Sequence, residues 1–176
     1  YGAKRSSHSR SAAERKARAG SGAQSSRSEA QPLSKLIHSQ RNIMLTPLLF
    51  SPRLKDKIWG GTKLKSIFNK AASGDKLGES WELSGYEGDE SVVVNGPLAG
   101  NDLRELIEVY MGDLVGDKVF EQHGHSFPLL FKLIDANENL SIQVHPGDEV
   151  AAERHQSYGK TEMWYVVDAD PGAELI

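Results

Sequence analysis

The chain has 176 residues, 21 Lys and Arg against 24 Asp and Glu, a formal net charge of −3 and no cysteine. Such a length accommodates one domain with an appendage, and the absence of cysteine excludes both a disulfide framework and a thiolate metal site. No run of about 18 apolar residues is present to span a membrane, so the chain reads as soluble, suited to a reducing compartment, with the cytoplasm as its expected location.

Composition changes at Met44, the first methionine. Residues 1–43 carry nine Lys and Arg, two acids, ten serines and one aromatic, with only Leu33, Leu36, Ile37 and Ile43 as aliphatics larger than Ala. Residues 44–176 carry 12 cations against 22 acids, with all three Trp and all five Phe. So few large apolar groups do not offset the entropy of ordering 43 residues. The expectation is a disordered basic tail over 1–43 and a folded part over 44–176. Three readings compete for the tail. It has the composition of a transit leader. Arg15, Lys16 and Arg18 are cations that suit phosphate backbones, although no aromatics interleave with them as in single-strand binders. It also reads as fragment or read-through sequence without a role. The acidic folded part opposes a nucleic-acid function.

In chain order, Leu45–Phe50 predicts a first strand, Ile58-Trp59-Gly60-Gly61 a turn, and Thr62 the cap of a short helix over Lys63–Lys70. Ser80–Tyr86 and Ser91–Asn95 read as strands separated by the Gly88-Asp89 turn. Leu103, Leu106, Ile107 and Tyr110 recur at helical spacing, with Asn101 as cap and Gly112 just past the end. Leu129–Asp135, Asn139–His145 and Thr161–Val167 are three further strands. A short helix over Glu149–His155, started by Asp148 after the Pro146-Gly147 turn, joins the last two. Ala173–Ile176 begins another strand. Many short strands with few helices predict a mainly β sandwich or barrel with helical decoration.

Alternation assigns faces. Leu140, Ile142 and Val144 share one face of their strand, and Ser141, Gln143 and His145 the other. In the later strand Lys160, Glu162 and Trp164 share a face. A polar row facing water is the ordinary arrangement in an antiparallel sheet. If the short helix brings the two strands side by side, however, Gln143, His145 and Glu162 meet around one metal through an amide oxygen, an imidazole nitrogen and a carboxylate. Such ligands suit Zn²⁺ or another divalent first-row ion. Only Glu162 carries a full charge, which leaves the ion a net positive Lewis acid. His123-Gly124-His125 has ligand spacing too, but its Gly, Ser126 and Pro128 neighbours predict a loop with surface histidines.

Ile58–Gly61, Gly78-Glu79-Ser80-Trp81-Glu82, Phe127–Lys132, Leu140-Ser141-Ile142-Gln143-Val144-His145-Pro146 and Lys160-Thr161-Glu162-Met163-Trp164-Tyr165 stand in the order seen in type I mannose-6-phosphate isomerases. From about Pro47 onward the chain resembles the shorter, bacterial form of that family. The resemblance implies a cupin jelly-roll and a zinc enzyme that interconverts mannose 6-phosphate and fructose 6-phosphate, with one zinc per chain. It implies Gln143, His145 and Glu162 as metal ligands, and Ser141 and Lys160 as holders of the substrate phosphate. It further implies pocket positions for Trp59, Glu79 and Lys132. Lys132 has a second reading as an edge residue, and Trp59 and Trp81 as core aromatics. A sugar phosphate carries about −1.5 to −2 charges near neutral pH. Its site needs a cation and a hydroxyl or amide donor, which Lys160 and Ser141 supply. The family's fourth ligand, a histidine, and its catalytic arginine belong to segments beyond Ile176. The chain is therefore expected to be the N-terminal part of the catalytic domain, ending before the barrel is complete, and to show no isomerase activity by itself. A non-catalytic cupin binding a metal and a sugar phosphate is the alternative from another class. A cupin phosphoglucose isomerase uses a His-rich metal set, against which Gln143 argues.

Overall fold

The protein is described by a computed structural model covering residues 44–175. The basic tail, 1–43, lies outside the described residues. Two open antiparallel sheets and a set of short helices make up the fold. β1 (Phe50–Ser51) pairs with β4 (Val92–Val93), and β2 (Arg53–Gly61), β3 (Leu77–Ser84) and β5 (Leu130–Ile134) form a three-stranded sheet with β3 in the centre. The helices are α1 (Lys63–Ser66), α2 (Leu103–Tyr110), α3 (Gly112–Val115), α4 (Asp117–His123) and α5 (Asp148–His155), with a 3₁₀ turn over Gly96–Leu98. The mainly β architecture with short decorating helices is as expected. Among the described residues no helix is long and apolar enough to cross a membrane.

α2 organises the core. Its apolar positions Leu103, Leu106, Ile107 and Tyr110 are all buried. Leu106, Val109 and Tyr110 pack with Val93 of β4 and Leu98, and Leu45, Leu48, Phe50 and Leu114 close over them. The cap is Asp102 rather than Asn101. Its carboxylate accepts the Glu105 N–H at 2.9 Å while the Glu105 carboxylate accepts the Asp102 N–H at 3.0 Å. This reciprocal pair satisfies two otherwise unbonded helix donors, whereas the Asn101 side chain donates to the Leu98 carbonyl. α3 and α4 were not expected. Breaks at Met111 (φ 50), Gly116 (φ 90) and Gly124 (φ 58) cut residues 111–124 into pieces too short for periodicity to show.

Several boundaries move for identifiable reasons. The predicted first strand shrinks to Phe50–Ser51 because Pro47 lacks an N–H. Asn95 takes over the ladder's role there, accepting from Leu49 N–H at 2.7 Å and donating to the Pro47 carbonyl at 2.9 Å. The second strand of that pair is Val92–Val93, not Ser91–Asn95, since the Ser91 hydroxyl and N–H are bonded to Ser84. β3 starts three residues before Ser80 and ends at Ser84, leaving Tyr86 exposed. Trp59-Gly60-Gly61 is not a turn but the end of β2. A Cβ on Gly60 would lie 2.5 Å from the Gly78 nitrogen, so the glycines permit close approach of two strands. The Thr62 side chain makes no capping bond to α1. Asp135, buried at the end of β5, accepts the Lys63 N–H at 2.6 Å instead. α1 stops at Ser66, and Asn69 beyond it has a left-handed backbone (φ 54). Ala173–Leu175 form no strand.

Candidate metal and phosphate site

The largest departure concerns the two segments that carry the candidate ligands. Neither Asn139–His145 nor Thr161–Val167 is a strand. A strand is defined by its ladder, and among the described residues neither segment pairs with the other or with β5. The alternation survives without the ladder. Ile142 and Val144 are 82% and 92% exposed and Met163 and Tyr165 93% and 85%, while His145 and Glu162, one from each polar row, face each other. Gln143 Nε2 lies 3.4 Å from Ser141 Oγ. Lys160 Nζ and Trp164 Nε1 lie 2.9 Å and 3.4 Å from the Glu162 carboxylate. These are contacts at i and i+2, which an extended backbone puts on one side.

The rows meet at one point. His145 Nε2 is 3.1 Å from Glu162 Oε2, and Lys160 holds the other carboxylate oxygen, Oε1. The side chains of His145 and Glu162 are both about three-quarters covered, 24% and 27% exposed. The Lys160 ammonium, against a smaller opposing effect of burial, holds the Glu162 carboxyl down at about 2, with help from the Trp164 and His145 N–H groups. Glu162 is therefore ionised throughout the neutral range and able to act as a ligand. Of the three predicted metal ligands the structure brings two together. Gln143 stands on the same row as His145, but its amide hydrogen bond among the described residues is to Ser141. No cluster of three or more His, Cys, Asp or Glu suited to a metal occurs among the described residues. His145 and Glu162 would be joined by an amide oxygen, that of Gln143, rather than by a third ionisable donor.

The remaining predicted positions form a second group on the three-stranded sheet. Glu79 of β3 is buried, with Lys132 of β5 at 3.3 Å, Lys57 of β2 at 3.7 Å and the Trp81 indole N–H at 2.9 Å. Trp59 lays its ring over Gly78, where a Cβ would lie 2.8 Å from it. No hydrogen bond or ion pair among the described residues joins this group to the Glu162 group. Burial pushes the Glu79 carboxyl up, but the Trp81 N–H, Lys132 and Lys57 outweigh it and the net shift is down from 4.5. A carboxyl depressed in the fold contributes stability that is fully present above its unfolded value and is lost as pH falls through the folded value. Glu79→Gln is therefore expected to cost about 1–3 kcal/mol near neutrality. The gap between wild type and variant in urea unfolding should close as pH drops well below 4.5. A gap independent of pH would mean that the charge of Glu79 does not stabilise the sheet.

Of the two expected surface histidines, His125 is exposed in a turn, whereas His123 is half-buried at a helix end. His123 ends α4, with a buried Nδ1 that has no hydrogen-bond partner among the described residues and its ring edge-on to Tyr158 at 5.7 Å. His125 follows in the turn, edge-on to Phe120 at 5.4 Å. Neither is near a carboxylate partner at ion-pair distance among the described residues. A contribution that the sequence does not show is Asp148, whose carboxylate accepts the Gly159 N–H at 2.9 Å and thereby links the two segments that carry the candidate ligands. The Pro146-Gly147-Asp148 run gave the turn, but not this partner eleven residues on.

Comparison with known proteins places the chain in a family. Mannose-6-phosphate isomerase ManA of Bacillus subtilis is 41% identical over 134 residues, covering 74% of this chain and 40% of that protein. The mannose-6-phosphate isomerase of Streptococcus mutans is 41% identical over 133 residues, covering 76% of this chain and 40% of its own length. The crystal structure of mannose 6-phosphate isomerase from Bacillus subtilis superposes with a TM-score of 0.63 at 40% identity, over 72% of this chain and 39% of that one. The chain thus spans about two fifths of the length of the curated relatives it matches. Residues 48–170 match the family model described as phosphomannose isomerase type I, catalytic domain. That match covers most of the chain and includes both segments that carry the candidate ligands, so the chain belongs to the type I phosphomannose isomerase family.

Proposed function

We propose that the chain contributes metal and phosphate sites to an enzyme that interconverts mannose 6-phosphate and fructose 6-phosphate. The observation that carries this reading is the meeting of His145 Nε2 and Glu162 Oε2 at 3.1 Å, with Lys160 on the second oxygen of Glu162. An imidazole nitrogen and a carboxylate aimed at one point are the donors that a divalent first-row ion takes, and Zn²⁺ is the ion proposed. Gln143, on the same row two residues before His145, is the third proposed ligand. A bound zinc supplies a Lewis acid for the carbonyl of the open sugar.

The chain's own residues do the positioning. Lys160 is about half exposed, so its ammonium is open to an incoming phosphate while it holds Glu162 ionised. Ser141 offers a hydroxyl on the facing row. Binding the phosphate far from the reacting carbons orients the sugar without chemistry at the phosphate. The pocket roles of Trp59, Glu79 and Lys132 are proposed on the same resemblance, and the Lys132–Glu79 ion pair is compatible with them. The partner this implies is a small sugar phosphate.

Lys160→Ala is expected to weaken binding of mannose 6-phosphate by roughly 10- to 150-fold, the equivalent of about 1.5–3 kcal/mol for one charge-assisted contact. Affinity for mannose, which lacks the phosphate, should not change. Calorimetric titration of both sugars into wild type and variant measures this. Equal losses for the two sugars, or no loss for either, would place the phosphate elsewhere.

A further inference from the structure

His145 and Lys160 flank a connection of fourteen residues, 146–159, that is built around α5. Little of this connection is anchored in the core. Within α5 only Ala151 is buried, and most of its other side chains face solvent. Tyr158 adds its ring contact with His123. The two ends of the connection are instead tied to each other. The Gly159 N–H donates to Asp148 Oδ1 at 2.9 Å, and the Lys160 N–H reaches the Pro146 carbonyl at 3.4 Å. The tie is tight enough to dictate a residue. A Cβ on Gly159 would lie 2.7 Å from both the Asp148 nitrogen and Oδ1, and 2.9 Å from the Gly147 carbonyl carbon.

We infer that Asp148 is a positioning residue of the site, its carboxylate clasping the Gly159 amide so that Lys160 and Glu162 are delivered to His145. The inference rests on the metal reading above and adds a residue that neither binds the metal nor touches the sugar. Without the clasp only the longer Lys160 N–H contact with the Pro146 carbonyl ties the two ends, and more of the entropy of bringing them together must be met by the metal itself. Asp148 is well suited to the task because it is the first residue of α5, directly after the Pro146-Gly147 turn that leaves His145. Its side chain therefore reaches back across the base of the connection. The requirement is an acceptor oxygen at that point, which asparagine also provides and alanine does not.

The test uses the full chain with Zn²⁺ alone as the probe, in calorimetric titrations, and hydrogen exchange of the Gly159 amide in metal-free protein. Asp148→Ala is expected to raise the Kd for Zn²⁺ about 10- to 100-fold, the range for outer groups that orient a ligand, and to release the Gly159 amide from protection. Asp148→Asn should restore both. Glu149→Ala, which removes a neighbouring charge in the first turn of α5 but no contact with Gly159, should match wild type in both. A Gly159 amide that exchanges freely in wild type, unchanged zinc affinity in Asp148→Ala, or Asp148→Asn as weak as Asp148→Ala would overturn the inference. If wild type takes up no zinc while the exchange pattern holds, the metal reading fails and the clasp stands.

Discussion

His145→Ala is expected to abolish stoichiometric zinc binding, with a loss of affinity greater than the 10- to 100-fold typical of outer groups. The reason is specific to this site. Glu162 and His145 are the two donors that already share a point, at 3.1 Å, so removing one leaves no converging pair. Glu162 without His145 remains paired to Lys160 at 2.9 Å, an arrangement that disfavours a cation beside the ammonium. Elemental analysis after gel filtration gives the stoichiometry, and circular dichroism controls for folding. Because His145 is no part of the buried α2 cluster or of the residues packed on it, the variant should unfold at nearly the same urea concentration as metal-free wild type. One zinc retained per chain of folded His145→Ala would remove His145 from the site.

The largest effect on stability is expected from Leu106→Ala. Leu106 is 0% exposed on the inner face of α2, in the cluster with Val93, Leu98, Val109 and Tyr110. Alanine is itself a good helix former, so the cost falls on packing rather than on α2. Truncation of a fully buried leucine removes its transfer free energy and leaves a cavity, costing about 2–5 kcal/mol. Natural domains are stable by only about 5–15 kcal/mol, so the urea midpoint should fall sharply. Leu106→Met, which keeps the volume, should cost less than about 1.5 kcal/mol. Near-equal midpoints for Leu106→Ala and wild type would mean that α2 is not the centre of the core.

How much of this was legible beforehand differs from element to element. α2 was clear because its burial period is strong, with Leu103, Leu106 and Ile107 buried together with Tyr110. Its cap was misassigned by one residue, since Asn101 and Asp102 are both cap formers and only the partner Glu105 distinguishes them. The Trp59-Gly60-Gly61 end of β2 read as a turn because glycine is ambiguous in sequence. It serves a bend or a close approach equally well, and here the approach to Gly78 decides. The candidate site was legible in a different way. Alternation correctly put Lys160, Glu162 and Trp164 on one side, and it depends only on an extended backbone. Ladder pairing was not legible, because it is a property of neighbouring strands rather than of a segment's own residues. The Glu79–Lys132 contact spans 53 residues, so no local pattern shows it. Asp148 and Gly159 were invisible for the opposite reason. Each is an ordinary turn residue, and only the folded connection shows that they touch.

Whether this chain supplies ligands and phosphate contacts for isomerisation of mannose 6-phosphate can be read from a hybrid. Residues 48–170 would replace the matched part of mannose-6-phosphate isomerase ManA of Bacillus subtilis, to which the chain is 41% identical. Turnover of mannose 6-phosphate is then followed in a coupled assay, alongside zinc content. The expected result is a folded, zinc-containing hybrid that turns over the sugar phosphate and loses both zinc and activity on Glu162→Gln. A folded hybrid whose activity and zinc content are untouched by Glu162→Gln would contradict it.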